Sequence, residues 1–70
     1  MRRRDVASSA LRSVGYDLAT HTLETELQTD RIYQYFNCPP EVFDALMHAE
    51  SKGLFYNLQI RDHYPYRKVS

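Results

Sequence analysis

Apolar and polar residues alternate along three runs in the first half of the chain, and this alternation predicts β-strands. The runs are SVGYDL at 13–18, TLETELQ at 22–28 and RIYQYF at 31–36. A period of two places successive side chains on opposite faces of a sheet. Because the connections between the runs are short, we expect the three strands to form an antiparallel meander.

A two-residue turn at 29–30 sets the expected register of the second hairpin. Gln28 then pairs with Arg31, and Leu27 faces Ile32. This register places the aliphatic partners together on one face. A slip of one residue would move every side chain of the strand to the other face, so the hydrophobic pattern supports the register.

In this register Tyr33 and Tyr35 lie on the outer face of the sheet, beside Glu24 and Glu26. Gly15 is expected on the same face, where its missing side chain leaves a shallow opening. The two tyrosines then have two interpretations. They form an aromatic platform that stacks nucleic-acid bases, or they pack across strands with their hydroxyls bonded to the glutamates.

The second half of the chain changes to a helical period. We expect Pro39 to stay extended and Pro40 to open a helix whose apolar stripe covers the sheet. Gly53 marks a break, and a second helix follows it and stops before Pro65. The predicted fold is therefore α+β: a three-stranded antiparallel meander followed by two helices packed on one face.

A chain of seventy residues forms one domain, because it buries only about 60% of its unfolded surface and cannot support two cores. We expect residues 1–5 to be a flexible basic segment and residues 6–68 to form the domain. The sequence contains no long apolar run, so we expect neither a membrane span nor a signal peptide. A cytoplasmic location is the corresponding prediction.

Two apolar stripes lie on the second predicted helix, and only one of them can face the sheet. The stripe that we expect inside consists of Tyr56, Ile60 and Tyr64. The other stripe consists of Leu54 and Leu58, with Phe55 at its edge. This second stripe is either a contact surface for a protein partner, a second copy of the chain included, or is covered by the N-terminal segment through Val6 or Leu11.

The formal net charge is zero, but both ends of the chain are basic and its body is acidic. A chain with no net charge lacks the strongly positive electrostatic field expected of a dedicated nucleic-acid-binding protein. If the protein does bind RNA, the expected contacts are the two sheet tyrosines, Tyr33 and Tyr35, and the basic residues. Those basic residues are Arg2, Arg3, Arg4, Lys52, Arg61, Arg67 and Lys68. The N-terminal arginines have a second interpretation as a solvated tail.

Patterns typical of catalytic and metal sites are missing from the sequence. Cys38 precedes a predicted helix, a position that lowers the pKa of a thiol, but no histidine is placed near it as a base. We therefore predict a small buried apolar residue there. His21, His48 and His63 are interpreted as a turn residue, an exposed helix position and a helix-end cation. With no zinc spacing, phosphate loop or serine triad, we expect no metal, no cofactor and no enzymatic activity.

Several segments resemble the KTSC domain: SSALRSVGYD, YQYF, PPEVFDALMHAESKG and FYNLQIRDHYPY. The central signature of that family is a tyrosine, any residue and a second tyrosine, matched here by Tyr33 and Tyr35. Gly15-Tyr16, residues 51–53 and Asn57 also fit the pattern, and the likeness extends from Val6 to Lys68.

The resemblance implies a short module that occurs at the C-terminus of some lysyl-tRNA synthetases and alone in small bacterial and phage proteins. It implies no catalytic residue, and the link to a synthetase implies RNA binding. Two positions depart from the pattern. Cys38 stands where an aliphatic residue is common, and Leu58 where a polar residue is ordinary, which strengthens the prediction of an exposed apolar stripe.

We therefore expect a non-enzymatic interaction module that binds a protein or ribonucleoprotein, as a small inhibitor or adaptor of a larger machine. The expected contact residues are Leu54, Phe55, Leu58, Tyr33, Tyr35, Glu24 and Glu26. Direct RNA binding is the alternative, and self-association through the leucine stripe is compatible with both.

Overall fold

The computed structural model describes residues 2–70 and shows an α+β fold, as predicted, with five antiparallel strands rather than three. The strands lie in the sheet in chain order: β1 (Arg3–Asp5), β2 (Leu11–Asp17), β3 (Thr22–Leu27), β4 (Ile32–Tyr35) and β5 (Tyr66–Lys68). Between β4 and β5 the chain forms α1 (Pro40–His48) and α2 (Lys52–Phe55), and a π-helical turn (Tyr56–Ile60) continues α2. No helix within this part of the chain is long and apolar enough to span a membrane.

The two additional strands form the edges of the sheet. β1 lies within the segment 1–5 that the sequence predicted to be flexible, and Arg3 pairs with Gly15 of β2. β5 follows Pro65, and Tyr66 pairs with Tyr35 of β4. Each strand has three residues and carries charged side chains, so neither shows the apolar alternation by which strands are recognised in a sequence. Short, charged strands are typical of sheet edges.

The turn between β3 and β4 is longer than predicted. The amide of Leu27 donates to the carbonyl of Arg31 over 2.8 Å, and the amide of Asp30 donates back to the carbonyl of Leu27 over 3.0 Å. Asp30 has a φ of 69°, in the left-handed region. The connection is thus a three-residue loop that ends in a left-handed residue, instead of the predicted two-residue turn.

This turn shifts the register by one residue from the prediction. Leu23 pairs with Tyr35, and Thr25 pairs with Tyr33. Both tyrosines therefore share a face with buried Leu23, the face that the helices cover. The prediction that they share the outer face with the glutamates is wrong, because a shift of one residue exchanges the faces of the whole strand.

The helical region begins as predicted and ends earlier. Pro39 is extended, with φ −63° and ψ 151°, and Pro40 is the first residue of α1. The π-helical turn ends at Ile60, and a turn with Asp62 at φ 68° follows. The second helix thus stops short of the predicted boundary before Pro65.

The core lies between the sheet and the helices. Its buried members are Leu11, Val14, Leu23, Tyr35, Cys38, Leu46, Tyr56 and Ile60. Tyr64 packs against them, so the prediction that the stripe of Tyr56, Ile60 and Tyr64 faces inward is confirmed. The aromatic ring of Tyr16 stacks on that of Phe43 with centroids 5.2 Å apart, which ties β2 to α1.

Candidate functional site

A groove of about 410 Å³ opens on the helix-covered side of the sheet, where β4 and β5 meet the π-helical turn. Four tyrosine side chains line it: Tyr33, Tyr35, Tyr56 and Tyr66. The turn between β3 and β4 forms one wall, and residues of the π-helical turn and the turn after it form the other. We call this feature the tyrosine groove.

The four tyrosines differ in exposure. Tyr35 and Tyr56 are only 3% and 4% exposed, and their hydroxyls form a hydrogen bond with each other. Burial, and then the hydrogen bond to Tyr56, raises the pKa of Tyr35 above its ordinary value, so this hydroxyl stays neutral. Tyr66, in contrast, is 59% exposed, and its ring meets that of half-buried Tyr33 edge-on at 5.8 Å. Tyr33 and Tyr66 are therefore the accessible rings of the groove.

Two arginines give the groove a positive charge. Arg31 comes from the turn wall and Arg61 from the helical wall, and both are exposed. Within residues 2–70 neither guanidinium forms an ion pair, although Arg3 and Arg12 do so elsewhere. Arginines without an internal carboxylate partner, placed beside aromatic rings, have the chemistry needed to bind an anion carried by a planar group.

The π-helical turn positions the helical wall. The amide of Arg61 donates to the carbonyl of Tyr56 over 2.8 Å, a bond across five residues rather than four. This segment buries Tyr56 beneath the groove while Asn57 and Arg61 line it. Turns of this kind occur frequently at functional sites.

The sequence identified only part of this groove. Tyr33, Tyr35 and Arg61 were among the predicted contacts for RNA, whereas Arg31 and Tyr66 were not among the predicted site residues. Asn57 was noted as a position that fits the family pattern, and that was the available signal for it. Arg31 and Tyr66 reach the groove through the β3–β4 turn and the pairing of β5, which the local sequence pattern did not reveal.

A second candidate surface lies on the other apolar stripe of the helical region. The side chains of Leu54 and Leu58 are 58% and 59% exposed, and Phe55 beside them is half-buried against the core. Together these three residues line a shallow depression of about 320 Å³. We call them the leucine surface. Val6 and Leu11 contact the core instead, so within residues 2–70 they leave the two leucines uncovered.

The two predicted contact glutamates lie on the outer face of the sheet, away from both surfaces. Glu24 is 6% exposed and binds the guanidinium of Arg3 and the amide of Gln34, the latter over 2.8 Å. Burial opposes ionisation of Glu24, but these two hydrogen bonds outweigh it and hold the pKa of Glu24 below its ordinary value. Glu26 accepts a hydrogen bond of 2.8 Å from Ser13. Both carboxylates are thus engaged within the domain.

The outer face also lacks the predicted opening at Gly15. A Cβ atom at this position would lie 2.8 Å from the carbonyl oxygen of Arg2 and 3.1 Å from Cγ of Arg3. The N-terminal segment therefore fills the space that the missing side chain leaves. The sequence expectation of a shallow opening is wrong, because it did not include β1 in the sheet.

The basic residues predicted for RNA binding are dispersed. Arg3 and Arg4 belong to β1, whereas Arg67 and Lys68 belong to β5 at the opposite edge, about 19 Å away at the usual spacing of strands. Lys52 donates to the carbonyl of Ala49 over 3.2 Å. Of the predicted cations, Arg61 alone lines the tyrosine groove. Residues 2–70 therefore form no single basic surface that joins the two ends of the chain.

Cys38 is fully buried, as predicted. Burial raises the pKa of its thiol to about 11, which is the opposite of the change that activates a nucleophile.

His21 lies in a turn at φ 53°, and His48 lies exposed on α1. No group of three metal-ligating side chains is arranged to hold a metal ion between residues 2 and 70.

Comparison with other protein sequences identifies a family and several relatives of this chain. Residues 7–64 match the family model of the KTSC domain. A protein of Stutzerimonas stutzeri is 40% identical over 70 residues, which cover 99% of each chain. A lysine–tRNA ligase of Nostoc punctiforme is 32% identical over 62 residues, which cover 89% of this chain but 11% of the ligase.

Comparison with solved structures points to the same family. The crystal structure of a KTSC domain protein from Yersinia pestis matches with a TM-score of 0.96 and 33% sequence identity. The match covers 99% of this chain and 97% of that one. The matched segment includes both tyrosines of the YQY motif and Asn57, all three of which line the groove. By sequence and by structure, this chain belongs to the KTSC domain family.

Proposed function

We propose that this protein is a non-enzymatic interaction module that binds a protein or ribonucleoprotein partner through the leucine surface. The observation that carries the proposal is the exposure of Leu54 and Leu58, each more than half accessible, beside one shared depression. Single exposed leucines are ordinary, but adjacent ones that share a depression are typical of contact sites.

The surroundings of the leucine surface have the composition of a protein interface. Phe55 fixes the base of the depression because it also packs against the core. Polar side chains at its rim come from Glu50, Ser51 and Gln59. An apolar centre within a polar rim is the usual anatomy of a protein–protein contact.

The comparison with the ligases supports a role beside a larger machine. In the Nostoc protein the similar segment makes up 11% of the chain, so a KTSC-like unit there accompanies a much longer protein. On this proposal the chain acts through its leucine surface as an adaptor or a small inhibitor of its partner.

The test is affinity capture with tagged wild type and variants, followed by quantitative mass spectrometry of nuclease-treated samples. The double variant Leu54→Asp with Leu58→Asp is expected to lose the partners that wild type retains, because each carboxylate would have to be desolvated in the contact. Leu18→Asp is the matched control, since Leu18 is 64% exposed in the loop between β2 and β3. Circular dichroism verifies that each variant folds. Retention of every partner by the folded double variant contradicts the proposal.

Direct RNA binding is the second candidate, and the tyrosine groove favours it. Arg31 and Arg61 lie beside the accessible rings of Tyr33 and Tyr66. Buried Tyr35 supports the floor of the groove rather than stacking on a base. This candidate predicts an affinity for single-stranded RNA that falls with salt and falls further in Arg61→Gln. Equal affinities of Arg61→Gln and Arg67→Gln would reject it, because Arg67 lies on the other face and donates to Gln34.

A further inference from the structure

We infer that the tyrosine groove is a binding site for a single nucleotide, with its base against Tyr66 and its phosphate between Arg31 and Arg61. The inference rests on the proposed use of the groove for RNA and narrows the ligand to one nucleotide, free or at the end of a strand. Three features of the groove support it: its size, its aromatic side and its charge.

The size of the groove suits one nucleotide. Its volume of about 410 Å³ falls at the lower end of small-molecule sites, which measure about 300–1,000 Å³. The groove is closed on one side by the turn at 27–31 and on the other by the segment that carries Asn57 and Arg61. A site of this volume holds one base with its phosphate rather than a run of stacked nucleotides.

The aromatic side of the groove is a supported stacking surface. The ring of Tyr66 is held by Tyr33 at 5.8 Å and by Tyr35 at 5.9 Å, yet the residue stays 59% exposed. A ring fixed by its neighbours loses little conformational freedom when a base stacks on it. Asn57 adds an amide that both donates and accepts hydrogen bonds, as the edge of a base requires.

The charge of the groove suits a phosphate. Arg31 from the β3–β4 turn and Arg61 from the helical region both line the groove, and within residues 2–70 neither is neutralised by an ion pair. Asp62 is the acidic residue among the lining residues, so the groove carries a net positive charge. In the floor of the groove, burial raises the pKa of Tyr35, whose hydroxyl is hydrogen-bonded to that of Tyr56 and adds no negative charge. Guanidinium groups bind phosphate oxygens through parallel hydrogen bonds.

The experiment is a titration of the ¹⁵N-labelled protein followed by two-dimensional NMR. The probes are the four ribonucleoside monophosphates, adenosine, inorganic phosphate and single-stranded tetranucleotides. We expect at least one monophosphate to shift the amide signals of Arg31, Asn57, Arg61 and Tyr66, and to bind about tenfold more tightly than adenosine or phosphate alone. That difference is expected because only the nucleotide engages both the ring and the arginines.

Variants separate a defined site from a general attraction between charges. Tyr66→Ala and Arg31→Gln are each expected to weaken the tightest monophosphate about tenfold. Both residues are exposed, so the folded spectrum should persist in these variants. Arg67→Gln is the matched control on the other face of the sheet and should leave the affinity unchanged. If Arg67→Gln weakened binding as much as Arg31→Gln, the inference would be overturned.

The remaining outcomes distinguish this inference from RNA binding itself. If tetranucleotides bind the groove while no monophosphate binds more tightly than phosphate, the single-nucleotide site is rejected and RNA binding stands. If a monophosphate binds in the groove while tetranucleotides do not bind, the site is supported and RNA binding is rejected. Binding of neither class rejects both.

Discussion

At the scale of single residues, Tyr35 and Tyr56 connect the sheet to the helical region. Their rings meet edge to face with centroids 5.8 Å apart, and their hydroxyls form a buried hydrogen bond. The second tyrosine of the YQY motif is therefore first a structural residue that fixes the floor of the groove. Tyr33, two residues earlier on the same face, is left partly accessible.

The Tyr35→Phe variant tests this connection. It leaves the hydroxyl of Tyr56 buried without its partner, so we expect the free energy of unfolding to fall by about 1–3 kcal/mol in a urea titration. Tyr56→Phe should have a similar effect. The double variant should be more stable than the sum of the two changes predicts, because it leaves neither hydroxyl unpaired. Strictly additive effects would show that the two hydroxyls do not act as a pair.

At the scale of elements, the sequence predicted those strands and helices that show a local pattern of residues. The alternation along β2 and β3 and the proline pair before α1 identified those elements correctly. The register of β4 was missed because it depends on one backbone conformation, the left-handed φ of Asp30. Aspartate tolerates that conformation, but an aspartate in the sequence does not by itself predict it. The same residues are therefore compatible with a turn of two or of three residues.

The candidate site was predicted less completely than the fold. Tyr33 and Arg61 were named, but the groove exists because β5 brings Tyr66 beside β4 and because the β3–β4 turn brings Arg31 into the same lining as Arg61. These are contacts between distant parts of the chain. A three-residue edge strand has too few residues to show a period, so its partner is not visible in its sequence.

Gly15 provides a test of the edge strand β1. In Gly15→Ala the new Cβ atom would lie 2.8 Å from the carbonyl oxygen of Arg2, a backbone atom that moves only if the strand moves. We expect β1 to separate from β2, with a loss of about 1–3 kcal/mol in stability. Amide hydrogen exchange should accelerate at Arg3–Asp5, while exchange in β3 and β4 serves as the internal control. Unchanged protection of β1 would contradict this account.

At the scale of the whole molecule, the positive and negative charges of the chain balance, and some of them form specific ion pairs. Arg3 near the N-terminus reaches Glu24 in the middle strand, and Arg12 reaches Asp30 in the turn. Part of the basic N-terminal segment is thus used to neutralise the acidic body. Within residues 2–70, Arg31 and Arg61 form no such ion pair, and both line the tyrosine groove.

The pH dependence of stability should report the Glu24 interaction. Its pKa is lowered in the folded state from an ordinary value of 4.5, so its contribution is fully present above pH 4.5 and is lost as the pH falls through the folded pKa. We therefore expect Glu24→Gln to be less stable than wild type at neutral pH, by a margin that shrinks as the solution is acidified below pH 4.5. Thermal unfolding across this range measures the margin. Glu50→Gln, at an exposed position, controls for the change in net charge. A margin that is independent of pH would remove Glu24 as the cause.

The order of the strands also bears on how the molecule folds and opens. The strands β1 to β4 are neighbours both in the chain and in the sheet, so they pair through contacts between residues close in sequence. Both helices lie between β4 and β5 in the chain, so the pairing of β5 joins residues that are farther apart in sequence. The groove takes Tyr66 from β5 and Arg61 from the segment just before it, and β5 is exposed along its whole length. We therefore expect the groove to form late during folding and to open during local fluctuations of β5. Because Tyr66 of β5 lines the groove, a ligand bound there would also stabilise the pairing of β5 with β4.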